Sequence, residues 1–323
     1  MKWQTKVTVE PFNQQINYKH RFYLIGSCFA EHIYHALNQR KFQATCNSFG
    51  IMYNPFSLAK TVSRIVNKVE FQKEEFFKHQ DLYRHFDSHS SVSGPELQET
   101  VQLHNDLLHK DYIDIKQRDV CIITLGSAFV SELLPGKKIV ANNHKLPAKN
   151  FESRMLSVNE VKSSLTKLVK DIRSINPRML FVFTVSPVRH IKSGLLTNSR
   201  SKAVLLEGIS QLVESGDNLF YFPVYEIFMD ELRDYRFYAK DMVHPSDVAV
   251  EYIWERFSEW IFRQETLETI KAVEQIQLAF AHRILHKKSQ ESEKFIRATK
   301  AKVEFLTKKY PYLDFSDELK KWY

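Results

Sequence analysis

The chain has 323 residues, of which 43% are hydrophobic and 13% aromatic, a composition typical of a globular protein with one large domain or two smaller ones. Its apolar runs are shorter than the roughly 20 residues of a membrane helix, and the N-terminus lacks the apolar segment of a secretory signal. Part of the net charge of +8 lies in 262–323, where 13 Lys and Arg are interleaved with 9 Asp and Glu, as on a solvated helix face, so nucleic-acid binding is not expected.

Short apolar runs rich in Ile, Val, Phe and Thr predict buried strands at 22–25, 42–46, 120–125, 179–185 and 219–223. Helical spacing lies between them, after residue 28 and over 157–174 and 199–215. Within 157–174, Ser157 and Glu160 form a capping-box pair. Strands that alternate with helices predict an α/β fold with a mostly parallel sheet covered on both faces.

The end of the first predicted strand lies in "FYLIGSCFAEH", residues 22–32. Ser27 would sit at a strand's carboxyl end and below a helix N-terminus, whose free N–H groups could stabilise an oxyanion. Cys28 is the competing nucleophile, since a helix dipole acidifies a thiol. Because free cysteines are most often small buried hydrophobes, the sequence favours Ser27.

Two further segments lie outside the predicted α/β pattern. The polar stretch 71–119, with a predicted helix over 96–110, reads as an insertion near the mouth of the site. Residues 262–323 read as a helical extension of a 1–261 domain, packed on the core or used for self-association into a homo-oligomer. Three cysteines without a CxxC pattern favour a reducing, cytoplasmic compartment.

The segment "DMVHP", residues 241–245, places Asp241 three residues before His244 and directly before an amphipathic helix. One interpretation is a helix cap beside surface charges. The chemical interpretation is that the carboxylate of Asp241 binds the imidazole Nδ1 and leaves Nε2 of His244 free as a general base.

Together these segments resemble the GSCFA family, a branch of the SGNH (GDSL-like) hydrolases. The resemblance rests on "GSCFA" (26–30), "FGIMYNP" (49–55), "TLGS" (124–127), "ANNHK" (141–145) and "DMVHP", in that order over about 20–260. It implies a flavodoxin-like three-layer α/β/α fold, acyl-ester chemistry, and a triad of Ser27, His244 and Asp241. It also implies an oxyanion hole that uses the N–H groups of Ser27 and Gly50.

The third expected oxyanion donor has no counterpart in the sequence. SGNH hydrolases carry an asparagine after the third strand, where this chain reads "GSAF" from Gly126. Asn54 or Asn142 could reach the same space from another loop. Since loss of one donor costs roughly 10²–10³ in rate, the difference bears directly on catalytic efficiency.

Other polar residues are weaker candidates for substrate contacts. His89 lies in a polar loop of the insertion and Arg189 follows the 179–185 strand, and for both a solvated surface position is the simpler interpretation. His144 lies in a predicted turn over 141–147. The 13 histidines show no metal-ligand spacing and the chain has no GxGxxG or P-loop, so no metal, nucleotide or other cofactor is expected.

The leading hypothesis is therefore a serine esterase of SGNH type that hydrolyses a small acyl ester, with an O-acetyl group on a carbohydrate as one candidate substrate. An O-acyltransferase would use the same residues with an alcohol as acceptor. A non-catalytic carbohydrate-binding protein with a degenerate site is the alternative that the missing asparagine favours.

Overall fold

The computed structural model describes residues 4–282 and 289–320. In this part of the chain the strands are β1 (Phe22–Gly26), β2 (Ala44–Cys46), β3 (Phe76–His79), β4 (Leu82–His85), β5 (Val120–Leu125), β6 (Phe129–Leu133), β7 (Lys138–Val140), β8 (Phe151–Met155), β9 (Leu180–Val185) and β10 (Leu219–Tyr221). The helices are α1 (Cys28–Gln39), α2 (Pro55–Val66), α3 (Leu97–Gln117), α4 (Val158–Ile175), α5 (Leu195–Val213), α6 (Val224–Glu226), α7 (Asp247–Ile261), α8 (Gln264–Ala281), α9 (Gln290–Lys309) and α10 (Ser316–Lys320).

A five-stranded parallel sheet lies at the centre, in the order β10-β9-β5-β1-β2. Numbered along the chain, these five strands follow the order 2-1-3-4-5 of flavodoxin-like folds. The order reverses between β1 and β5, where Gly26 lies opposite Thr124. Because ligands of open α/β sheets bind at such a switch point, the fold places the β1–α1 turn where a site is expected.

Successive residues of β1 face opposite sides of the sheet and enter two separate cores. Phe22 and Leu24 pack in the cluster that contains α1 and α7, whereas Tyr23 and Ile25 pack in the cluster that contains α2, α4 and α5. Apolar side chains on both faces explain the uninterrupted apolar runs of the central strands. The three-layer α/β/α fold class is thereby confirmed.

The predicted strands and the capping box of α4 agree with the structure. Ser157 accepts from the Glu160 N–H, and the Glu160 carboxylate accepts from the Ser157 N–H in return. The helix predicted at 199 starts earlier, at Leu195 after Gly194, which has a φ of +83°. The antiparallel sheet β7-β6-β8 was not predicted, because its strands are short and half-exposed and lack continuous apolar runs.

The insertion contains the β3–β4 hairpin and α3, which is tied to the central sheet by a buried carboxylate. Asp111 of α3 accepts from the Tyr23 hydroxyl at 2.9 Å and from the Ser48 hydroxyl at 2.5 Å. Burial raises the pKa of Asp111 to about 6, although both hydrogen bonds oppose that rise. The insertion is therefore anchored directly to the strand that leads into the candidate site.

Three histidines of the insertion and the loop after β7 are buried as neutral rings, with His85, His104 and His144 exposed by 2%, 0% and 1%. His104 donates through Nδ1 to the Thr100 carbonyl, and the Ser88 hydroxyl lies 3.0 Å from its Nε2. Burial is the main reason that the pKa of each histidine falls to about 4.

These histidines predict loss of stability in mild acid. The unfolded chain takes up protons near pH 6.5 and the folded rings only near pH 4, so their stabilising effect is complete above pH 6.5 and is lost as the pH falls towards 4. For His85 and His104 together we expect the free energy of unfolding to fall by roughly 2–4 kcal/mol between pH 7 and pH 5. Urea denaturation at the two pH values measures this. The slope should persist in H35Q, which removes an exposed histidine of α1, and should weaken in H104Q.

The C-terminal helices pack against the sheet on the side of α1 and α7. Ile270, Val273 and Ile276 of α8 and Val303 and Leu306 of α9 belong to the same core as β1. Ion pairs of 2.6 Å join Arg40 to Glu274 and Lys41 to Glu318. The predicted packing of the C-terminal extension on the core is thus seen for α8 and α9. Within the described ranges, no helix is both long enough and apolar enough to cross a membrane.

Candidate active site

The turn between β1 and α1 depends on Gly26. Its φ of +136° is rarely adopted by other residues, and a Cβ placed there would lie 2.1 Å from the Thr124 carbonyl oxygen. The Gly26 N–H donates to the Asn47 side-chain oxygen at 2.8 Å, and the Gly26 carbonyl accepts from the Met52 N–H at 3.0 Å. Glycine at this position lets β1 end in close contact with β5. Helix α1 then begins two residues later, at Cys28.

Ser27 is the N-cap residue of α1 but makes no side-chain capping hydrogen bond. The residue is 1% exposed, and its Oγ has no hydrogen-bond partner among the described residues. Its N–H donates to the Thr124 carbonyl at 2.9 Å. The backbone donor that the resemblance assigns to the oxyanion hole is therefore already occupied in this structure.

Cys28 is the first residue of α1 and is only partly buried. Burial and the nearby Glu31 raise the pKa of its thiol, while the N–H groups of Cys28 and Phe29 and the Lys202 ammonium act in the opposite direction. Cys28 thus lies at a helix N-terminus and is more exposed than the neighbouring Ser27.

Asp241 and His244 form the pair that their spacing predicts. Asp241 Oδ2 lies 2.6 Å from His244 Nδ1, while Oδ1 accepts the N–H groups of Val243 and His244 at 3.0 Å each. These two backbone donors, before the imidazole itself, lower the pKa of Asp241 to about 2. The carboxylate stays ionised in neutral solution and fixes the imidazole with Nε2 directed away from it.

The backbone around this pair is held at both ends. Tyr238 forms a bridge with Pro245, and the Ala239 N–H donates to the His244 carbonyl at 2.7 Å. Ser246 caps α7 by accepting the Ala249 N–H. The pair therefore occupies a fixed turn before α7, although both side chains are about half exposed.

His244 lies near two other histidines. Burial is the main cause that lowers the pKa of His32 and of His190, and the charge of His244 contributes to both shifts. His32 belongs to α1 and His190 to the loop after β9, so His244 lies within electrostatic reach of both elements. In the described residues no hydrogen bond joins His244 to Ser27.

The other proposed oxyanion donors make hydrogen bonds within the protein. The Gly50 N–H donates to the Asn47 carbonyl at 2.6 Å, and the Gly126 N–H to the Tyr53 carbonyl at 2.8 Å. Asn54 caps α2, with its side-chain oxygen accepting the Ser57 N–H at 2.8 Å. Gly126 nevertheless packs beside the β1–α1 turn, because a Cβ on it would lie 3.2 Å from the Ser27 Cβ.

The remaining residues considered for substrate contacts lie in different loops and have different partners. His89 packs against Gly50, where an added Cβ would lie 2.2 Å from the His89 Cβ. Asn142 accepts from the N–H of His144, whose ring binds the His85 carbonyl and the Ser90 hydroxyl. Arg189 binds the side chains of Asn198 and Ser199 at the start of α5. Among the described contacts, none links Asn142, His144 or Arg189 directly to Ser27.

Lys202 is a buried residue of this region that the sequence analysis did not identify. It is 1% exposed, and its Nζ donates to the carbonyls of Gly126 at 2.8 Å and Ser186 at 2.6 Å. Its position could have been noticed from the buried stripe of α5, where it precedes Leu205, Ile209 and Leu212 at helical spacing. Over 4–282 and 289–320, no group of three or more His, Cys, Asp or Glu side chains is arranged to hold a metal ion.

Two solved structures resemble this chain at low identity. A carbohydrate esterase family 3 protein from Talaromyces cellulolyticus is 8% identical, covers 78% of this chain and 98% of its own, and has a TM-score of 0.36. The acetyl xylan esterase Est2A from the rumen bacterium Butyrivibrio proteoclasticus is 12% identical, with 75% of this chain and 63% of its own covered and a TM-score of 0.41.

A comparison with curated proteins found no match. Two family descriptions match the sequence. "GSCFA family" matches residues 21–257, and "GSCFA domain protein, C-terminal domain" matches residues 273–322. The first match spans well over half of the chain and includes the β1–α1 turn and the Asp241–His244 pair. The chain therefore belongs to the GSCFA family.

Proposed function

We propose that this protein hydrolyses a small acyl ester, with His244 as the base that takes a proton from a nucleophile in the β1–α1 turn. The observation that carries the proposal is the 2.6 Å contact of His244 Nδ1 with Asp241, in a turn whose imidazole influences His32 of α1 and His190 of the loop after β9. With Nδ1–H donated to the carboxylate, Nε2 can accept the proton and later return it to the leaving alcohol.

The nucleophile of this proposal is one of two adjacent groups. The sequence favours the Ser27 hydroxyl, which would complete a triad with His244 and Asp241. The difference in burial favours the Cys28 thiol, because a nucleophile must reach its substrate and the Ser27 oxygen is enclosed. The raised pKa of the thiol means that Cys28 would need a base such as His244.

The activity and its nucleophile are tested by one matched set of variants. Turnover of p-nitrophenyl acetate and release of acetate from an acetylated oligosaccharide are measured for the wild type, S27A and C28A. A Ser27 triad requires S27A to be inactive and C28A to retain activity, whereas the burial difference predicts the reverse. Equal turnover by all three proteins would refute a nucleophile in this turn. Adding an alcohol acceptor and analysing the products separates hydrolysis from acyl transfer.

A carbohydrate-binding protein without catalysis is the second candidate. It is favoured by the hydrogen bonds that occupy the N–H groups of Ser27, Gly50 and Gly126. It predicts no turnover of any acyl ester together with measurable binding of an acetylated oligosaccharide by calorimetry. Turnover that depends on His244 would exclude it.

A further inference from the structure

We infer that Lys202 is a positioning residue of the proposed hydrolase, which fixes the loop beside the nucleophile turn and supplies positive charge there. The inference rests on the proposed function. It concerns a side chain of α5 that binds the carbonyl of Gly126, the residue whose N–H binds the Tyr53 carbonyl.

The ammonium group of Lys202 lies at the ends of two central strands. Lys202 Nζ joins the carbonyls of Gly126 and Ser186, which are the residues directly after β5 and β9. Lysine is almost never fully buried unless its charge is compensated, yet within the described ranges no carboxylate forms an ion pair with Lys202. Two backbone carbonyls accept the hydrogen bonds of this ammonium group at the carboxyl edge of the sheet.

Gly126 connects Lys202 to the turn between β1 and α1. The carbonyl of Gly126 binds Lys202, while its N–H binds the Tyr53 carbonyl. The peptide groups on both sides of this glycine are therefore fixed. The glycine Cα faces Ser27, since a Cβ added to it would lie 3.2 Å from the Ser27 Cβ and 2.9 Å from the Tyr53 ring. Movement of Lys202 would be transmitted through one residue to the turn that carries Ser27 and Cys28.

The charge of Lys202 also acts on the neighbouring side chains. The Lys202 charge is among the causes that favour the thiolate of Cys28 and disfavour the cation of His190, so it reaches both neighbours. An ester that is attacked in this turn develops negative charge on its carbonyl oxygen. The loop that lacks the expected asparagine is thus the loop that receives a cation from α5, although the sequence of the loop itself gives no sign of it.

The groups that face Lys202 come from several elements. They are Arg189 from the loop after β9, Cys28 from α1, and the Tyr225 ring, whose centroid lies 5.7 Å from Nζ. Burial first, and Arg189 second, lower the pKa of Lys202 to about 7. The positive charge is therefore complete only in acidic solution, is about half lost at pH 7 and disappears as the pH rises further.

The test uses K202M, which keeps an unbranched side chain only one atom shorter and removes the charge. We expect kcat for p-nitrophenyl acetate to fall by about 10²-fold, with KM changed by less than about threefold, because the contribution is made to the transition state. The wild-type kcat should decline above pH 7, and this alkaline limb should be missing in K202M. In K202A, ethylammonium ions should restore part of the rate. R200M is the matched control, since it removes an exposed charge from the same helix, and it should behave as wild type.

Several results would overturn the role of Lys202. One is a wild-type kcat that stays constant from pH 7 to pH 9, a measurement that does not depend on the folding of any variant. The others are a folded K202M with the wild-type kcat and a K202A that ethylammonium does not rescue. H244Q separates the two proposals. If H244Q loses turnover and K202M does not, only the role of Lys202 is refuted. If H244Q turns over at the wild-type rate, the proposed function fails and the role of Lys202 fails with it.

Discussion

H244Q should lower the turnover of an acyl ester by about 10³-fold while the protein remains folded. Glutamine retains polar atoms in the turn before α7 but cannot accept and return a proton. The pair that it breaks is about half exposed on both sides, so its removal should cost little stability. The measurement is kcat/KM for p-nitrophenyl acetate together with the thermal unfolding midpoint.

The control for this variant is H109Q, which replaces an exposed histidine of α3. H109Q should keep both the wild-type turnover and the wild-type unfolding midpoint. A wild-type rate in H244Q would contradict the assignment of His244 as the base. A large fall in the unfolding midpoint of H244Q would instead show that the pair has a structural role that its exposure does not suggest.

G26A should have the largest effect on the fold itself. A methyl group at this position would lie 2.1 Å from the Thr124 carbonyl oxygen, on a backbone with a φ of +136°. Because that oxygen belongs to the central strand β5 and accepts the Ser27 N–H, neither strand can move away without losing sheet hydrogen bonds. We expect the free energy of unfolding to fall by about 3 kcal/mol or more, or the protein not to fold.

Urea denaturation of G26A and G136A tests this expectation. Gly136 lies in the turn between β6 and β7, and a Cβ added there would have no neighbour within 4 Å. G136A should therefore match the wild type or be slightly more stable, since alanine restricts the unfolded chain. If G26A unfolds within about 1 kcal/mol of the wild type, the close approach of β1 and β5 is not as the structure has it.

The parts of the fold that could be predicted are those whose signals are local. The apolar runs of β1, β5 and β9 predict buried strands because both faces of these strands are covered. The contact of Asp241 with His244 could be predicted because the two residues are three apart in one turn. Both the buried strands and this contact follow from residues that are close together in the sequence.

The features that could not be predicted depend on contacts between distant segments. Ser27 is enclosed because β1 and β5 align Gly26 with Thr124 and bring Gly126 against it, about 100 residues along the chain. Lys202 is buried because its ammonium meets two strand-end carbonyls that no local pattern places together. The helical spacing of Lys202 with the buried residues of α5 indicates its side of the helix, but the sequence does not show what the ammonium group meets.

The C-terminal helices share a core with the helix that carries the nucleophile turn. Phe29 and Ile33 of α1 belong to the same apolar cluster as Val273 and Leu306. Because α8 and α9 share this core, we expect them to unfold with the sheet in a single cooperative transition. A chain shortened at residue 261 would expose the outer side of this core to water, so its surface would favour aggregation. The two sequence regions that the family descriptions separate should in this respect behave as one thermodynamic unit.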